Sequence, residues 1–192
     1  MCNLYRLDAP ADAIAQLFDA EQGSDPWPGD YVAPGKFAPV ILSGKHGKRM
    51  MPRLWGVPPP PNVPQNRFIT NVRNLESPFW IGTLRHTEFR CLVPVTRFME
   101  WGGVKGSRQQ HWFAVPSQPI FAFAGIWRDS EISSFAFLTC DPNAMVGAVH
   151  PKAMPVILRP EDHDRWLTAD WKDAQALVQP YDDSEMIGRV LG

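Results

Sequence analysis

A chain of 192 residues can bury a real core, and 19 basic against 20 acidic side chains give it a formal charge of −1. Any hold on nucleic acid must therefore come from a local basic patch, because the overall field does not supply one. No stretch approaches the apolar length of a transmembrane helix, and the start MCNLYRLDAPADAIAQLF lacks the basic head and cleavage site of a signal peptide, so a soluble cytoplasmic protein with no membrane partner is expected. Three scattered cysteines, Cys2, Cys91 and Cys140, are too few for a disulfide framework or a zinc site.

Twenty prolines cut the chain into short elements. Asp8 before Ala9-Pro10 predicts a helix start, with Ile14, Leu17 and Phe18 as its apolar stripe. A loop rich in Gly, Pro and Asp runs to Gly29, followed by strands at Tyr31–Ala33, Pro39–Leu42 and Met50–Trp55. Gly44-Lys45-His46-Gly47 reads as the hairpin turn between the last two. Pro58 to Pro64 is a loop that cannot be a central strand. Phe68–Val72 returns to a strand pattern, and Ser77-Pro78 opens a short helix carrying Phe79, Trp80 and Leu84. Strands at Cys91–Val95 and Phe98–Trp101 lead to a polar turn, Gly102 to Gln109. His111–Val115, Ile120–Trp127, Phe135–Thr139 and Met154–Leu158 complete the β segments. Pro160 opens a helix with Trp166 and Leu167 inward, and a last helical turn spans Trp171 to Val178. The pattern predicts one α+β domain over 1–192, a curved, barrel-like, mostly antiparallel sheet with short flanking helices.

Cys2 is the most informative residue. Removal of Met1 would leave it with two nucleophiles on adjacent carbons, an α-amine and a thiol. The amine titrates at about 7.7–8, against about 10.4 for lysine, so much of it is free base near neutrality. An aldehyde would form a Schiff base with that amine, and the thiol would then close a five-membered thiazolidine, a step favoured because it is intramolecular. Three other polar residues could serve such chemistry. Asn71 precedes Val72-Arg73, Glu100 interrupts an apolar run where desolvation would raise its pKa, and His150 stands between Gly147-Ala148-Val149 and Pro151. Each also has a plain structural alternative: a small buried residue, a turn amide, a rim ion pair and a loop histidine. No HExxH, P-loop or GxGxxG string occurs, so no metal or nucleotide cofactor is expected.

The motifs fall in a recognisable order. MCNLYR, Tyr31-Val32-Ala33-Pro34-Gly35, Leu54-Trp55-Gly56, Thr70-Asn71-Val72-Arg73, Arg90-Cys91-Leu92-Val93-Pro94, Phe98-Met99-Glu100-Trp101, Phe123-Ala124-Gly125-Ile126-Trp127, and His150 followed by Met154-Pro155-Val156-Ile157-Leu158 occur in that sequence. In this the chain resembles the SRAP family, the SOS-response-associated peptidases, over nearly its whole length. The resemblance implies a DNA-damage protein that binds single-stranded DNA and captures abasic sites covalently through Cys2. It implies that Asn71 holds the open-chain sugar or the developing oxyanion, that Glu100 orients the amine and handles protons, and that His150 protonates the sugar oxygen in ring opening and reverses it on release. Departures lie on the DNA side: Asn3-Leu4 replace the common Gly-Arg, Val57 and four prolines follow Trp55-Gly56, the spacing from His150 to Met154-Pro155 is one residue longer, and Glu76 lies one step further from Asn71-Val72-Arg73.

Two rival readings stand beside this one. One is an N-terminal-nucleophile peptidase with Cys2 attacking an amide, its self-evident substrate being the Met1–Cys2 bond. The other is a non-covalent single-strand binding module using Arg73, Arg85, Arg90 and aromatics. Where DNA is bound, the strip is expected to include Arg73, Arg85 and Arg90, and a monomer is expected.

Overall fold

The computed structural model describes residues 2–23, 27–61, 68–104 and 106–191. Met1, the last part of the expected proline loop up to Pro64, and Lys105 of the expected polar turn lie outside the described residues.

The chain opens with strand β1 (Tyr5–Leu7), and Pro10, in extended conformation, leads into helix α1 (Ala11–Leu17). Strands β2 (Ala20–Gln22) and β3 (Asp30–Val32) precede a hairpin of β4 (Phe37–Gly44) and β5 (Gly47–Trp55). Gly44 pairs with Gly47 across the expected Lys45-His46 tip, where Gly47 adopts φ +121, a conformation open to glycine and strained for other residues. Then come β6 (Asn71–Val72), α2 (Ile81–Arg85), β7 (Arg90–Val95), β8 (Arg97–Gly102), β9 (Gln109–Ala114), β10 (Phe121–Arg128) and β11 (Ser134–Cys140). Helix α3 (Ala144–Gly147), strands β12 (Met154–Pro155) and β13 (Ile157–Leu158), helices α4 (His163–Thr168) and α5 (Trp171–Gln175), and β14 (Ile187–Leu191) finish the chain.

The result is an α+β fold of mostly antiparallel, strongly curved sheets with short helices around them, as the residue pattern predicted. One sheet has the order β14-β9-β8-β1-β3. The other runs β12-β11-β10-β7-β4-β5-β2, and β11 curls round to meet β5 over two residue pairs alone, so the rolled sheet stops short of a true barrel. Aromatic side chains from both sheets fill the space between them. Phe123 contacts Phe98 and Tyr5 from the first sheet at ring-centroid distances of 5.7 and 6.3 Å, and Phe137 from the second at 4.8 Å. Pairs of this kind contribute about 0.5–1.5 kcal/mol each beyond their buried area.

Some local expectations are corrected. The expected strand Phe68–Val72 shrinks to Asn71–Val72, with Ile69 making a single bridge to Val57. Leu17 is 56% exposed, because the inward face of α1 is set by Ala11, Ile14 and Ala15 and continues to Phe18, leaving Leu17 off it. The segment Met154–Leu158 is two strands, not one. β10 and β11 pair from Gly125 to Arg128 and then diverge, and this segment enters the gap. Pro155 pairs with β11, the Val156 amide donates to the Leu138 carbonyl, the Val156 carbonyl accepts from Ala124, and Ile157 pairs with β10. Inserted between two strands of one sheet, it also fixes the chain just beyond His150.

Candidate active site

Each candidate side chain is positioned by a different piece of this architecture. The Met99 amide of β8 donates to the Leu4 carbonyl at 3.0 Å, which lays the start of the chain along the strand that carries Glu100. Asn71 pairs in parallel with Phe137 of β11, and Val72 with Leu138. His150 follows α3, which is capped by the Asn143 side chain accepting from the Val146 amide, and the His150 amide itself donates to the Val146 carbonyl at 2.8 Å. Residues 2, 71, 100 and 150 thereby meet at one place.

Cys2 is 1% exposed, and Asn71 Nδ2 donates to its carbonyl oxygen at 3.1 Å. The same amide nitrogen donates to Thr70 Oγ1 at 2.8 Å, which sets its orientation, while Asn71 Oδ1 is buried without a hydrogen-bond partner among the described residues. The Cys2 thiol donates to the Leu4 carbonyl at 3.5 Å. Burial, and then the Glu100 carboxylate, push that thiol far above its ordinary pKa, so it keeps its proton at neutrality. Glu100 is 3% exposed, and burial raises its pKa to about 7. Its Oε2 lies 3.9 Å from His150 Nδ1. His150 is held below the ordinary histidine range, first by burial and also by the positive charge of Lys152, which favours the neutral imidazole. A carboxyl group poised near 7 beside an imidazole can exchange protons in both directions at neutral pH.

Two neighbours that the residue pattern did not single out complete the site. Tyr5 packs under the site with its hydroxyl fully buried, and burial first, then the neighbouring Cys2 side chain, raises its pKa. His111 stands directly opposite Glu100 in the β8–β9 pair, on the same face. Its ring fills the space above Gly102: a Cβ on that glycine would fall 2.5 Å from His111 Nε2 and 3.0 Å from Val149 Cγ1, next to His150. The signal for His111 was present in the hairpin, since a turn centred between residues 105 and 106 pairs 100 with 111.

The arginines separate. Arg73 is partly exposed and pairs with Asp141. Arg85 is exposed in the last turn of α2. Arg90, expected in the DNA strip, is fully buried and cannot serve there. Its guanidinium donates to the carbonyls of Leu84, Trp166 and Ala169 at 2.9, 3.1 and 2.7 Å, where α2 and α4 end, and it lies 5.6 Å from the ring centres of Trp166 and Trp171. A cation at two helix C-termini satisfies carbonyls that the helices leave open.

Curved, mostly antiparallel sheets with short helices around them define an α+β domain, and here the second residue lies close enough to a buried strand carboxyl to feel its charge. The match can be made narrower. Residues 1–190 fit the family described as SOS response associated peptidase (SRAP), and the chain belongs to that family. Solved structures share the fold. A protein from Bacteroides thetaiotaomicron superposes with a TM-score of 0.85 at 22% identity, covering 100% of this chain and 92% of that one. A protein from Bordetella bronchiseptica gives 0.84 at 19% identity with full coverage of both chains. A phage-related protein from the same organism gives 0.79 at 18% identity, covering 99% and 94%. A comparison with curated proteins gave no match.

Proposed function

We propose that this SRAP-family protein captures abasic sites in single-stranded DNA through Cys2, forming a covalent thiazolidine. The observation that supports this most directly is the meeting of Cys2, held by Asn71, with Glu100, whose pKa is raised to about 7, and with His150. The chemistry needs a free α-amine on Cys2, hence loss of Met1, and the peptidase in the family description fits that step as maturation.

The steps balance as follows. The C1 hydroxyl of the deoxyribose gives its proton to the Glu100 carboxylate as His150, protonated for this step, gives one to the ring oxygen. The C1–O ring bond breaks, the aldehyde forms, and the proton on Glu100 returns to the neutral imidazole. The Cys2 amine adds to the aldehyde carbon, and water leaves as the imine forms. The Cys2 sulfur then adds to the same carbon while its proton passes to the nitrogen, with Glu100 as carrier. A thiol that stays protonated until this point suits the order, amine first and sulfur second. Closure removes the hydrolysable C=N bond. Asn71 Nδ2 keeps the Cys2 backbone in register throughout.

The test is a denaturing gel of Met1-free protein mixed with single-stranded DNA carrying an abasic site, beside DNA whose site has been reduced to the alcohol. The aldehyde DNA is expected to give an adduct without borohydride, and the alcohol none. Cys2→Ser and Cys2→Ala keep the amine and are expected to give an adduct that needs reduction to be trapped. Equal yields from both DNAs, or full unreduced yield from Cys2→Ala, would sink the thiazolidine route.

A further inference from the structure

The outer face of the five-stranded sheet carries a second group of residues that the cleft does not use. Side chains alternate along a strand, so β8 turns Phe98 and Glu100 inward and Arg97 and Trp101 outward. The register extends this outer face across the sheet. Arg6 of β1 stands opposite Arg97, Tyr31 of β3 opposite Arg6, and Trp112 of β9 between Met99 and Arg189 of β14.

The charges on this face do not cancel. Arg6 and Arg97 oppose each other directly, an arrangement that repels unless a counter-charge intervenes. Asp8 intervenes, accepting from Arg6 Nε at 2.7 Å and from Arg97 at 2.8 Å, and one carboxylate against two guanidiniums leaves a positive surplus. Arg189 adds to it: the side chain is exposed, and among the described residues no ion pair joins it. Arg6 lies over Tyr31, 4.0 Å from the ring centre, and Tyr31 meets Trp112 edge-on at 5.7 Å. Between Arg97 and Arg189 runs a groove of about 280 Å³ floored by Trp112, Ala114 and Ile187.

We propose that this groove is a nucleotide subsite, taking one base of single-stranded DNA against its apolar floor with the flanking phosphates on Arg97 and Arg189. The assignment rests on the DNA capture proposed above. The chemistry of the groove alternates as a nucleotide does, flat and apolar in the middle and cationic on both sides, whereas an acidic peptide would meet the arginines and leave the floor unfilled. Strand β8 links the two sites. Glu100 and Arg97 are three residues apart, about 10 Å, on opposite faces, and Trp101, 39% exposed at the end of the strand, stands where a DNA strand would pass from the cleft to the outer face.

The experiment measures fluorescence anisotropy with a long intact oligodeoxynucleotide across a salt series, and abasic capture on a short oligonucleotide that cannot reach the groove. Arg189→Glu is expected to weaken binding of the long strand about tenfold and to flatten its log–log salt slope by about 0.7, one lost phosphate contact. Ile187→Asn, which makes the floor polar and leaves the charge unchanged, is expected to weaken it comparably with the salt slope kept. Both variants are expected to capture the short abasic substrate at the wild-type rate, which shows that they are folded and active. Wild-type affinity in both variants, with an unchanged slope in Arg189→Glu, would overturn the subsite. Equal binding of a base-bearing strand and a base-free sugar–phosphate polymer would also overturn it, leaving only a charge patch. Failure of the wild type to capture the short substrate would instead count against the capture chemistry, so the two failures are distinct.

Discussion

A carboxyl group with a pKa near 7 can take or give a proton at neutral pH, and Glu100 is brought there by burial inside β8. That raised value has a thermodynamic consequence. The unfolded chain holds its glutamates at about 4.3. Between that value and 7 the folded protein therefore binds more protons than the unfolded chain, and stability falls as pH rises through the window. Glu100→Gln removes this dependence. It is expected to be more stable than the wild type at pH 8 by roughly 1–3 kcal/mol, with the advantage fading toward pH 4, as urea unfolding at the two pH values would read. The same substitution is expected to slow capture at least about tenfold and to abolish the rise in rate through pH 7, since the carrier of the proton is gone. A second residue-scale prediction concerns Gly102. A methyl there displaces His111 and presses on Val149, so Gly102→Ala is expected to cost about 1–3 kcal/mol and to slow capture through His150. Gly82→Ala is the control: a Cβ at that helical position meets nothing within 4 Å, and replacing glycine in a helix is expected to be stabilising by about 0.5–1 kcal/mol. Melting temperatures of the two variants, measured side by side, check both.

At the scale of elements, short helices are held by the residues at their ends more than by their own length. Helices α2 and α4 have five and six residues, too few to persist alone. Arg90 joins them by giving its donors to Leu84 at the end of one, and to Trp166 and Ala169 at the end of the other. Arg90→Met fills much of the volume and leaves those carbonyls without the cation. A loss of about 2–5 kcal/mol is expected in chemical unfolding. The salt slope of DNA binding is expected to stay at the wild-type value, because Arg90 touches no solvent. A changed slope would return it to the DNA surface. The residue pattern could not reveal this role. An arginine at the head of the apolar run Arg90-Cys91-Leu92-Val93 reads as the last exposed residue before a strand, and the carbonyls that hold it come from residues 84, 166 and 169.

Across the whole molecule, what could be read from the chain was what adjacent residues decide. Alternation and turn residues located the strands of the β4–β5 hairpin and those from Arg90 to Cys140 to within a few residues, and with them the α+β class. Strands β1, β2 and β14 were missed. Their sequences, Tyr5–Leu7, Ala20–Gln22 and Ile187–Leu191, carry weak patterns of their own and form as partners of strands elsewhere in the chain. The gathering of Cys2, Asn71, Glu100 and His150 came from family resemblance; no local pattern joins residues so far apart, and the geometry that does so is the register of β6 on β11, of the first residues on β8, and of the inserted 154–158 segment. Near-zero net charge likewise hid the arginines of the outer face, because a total does not record where charges stand.

The inserted segment also sets a timetable. The gap between β10 and β11 is filled by residues made after all the other strands of that sheet, and the last strand of the smaller sheet comes later still. Domains whose contacts span such long separations assemble slowly, and a chain leaving the ribosome meets its partners in the order of synthesis. Cys2 emerges first, yet His150, which the proposed chemistry pairs with it, is fixed only when residues 154–158 arrive. The start of the chain thus passes most of its synthesis without the segment that fixes His150, and the capture proposed for Cys2 waits on that segment.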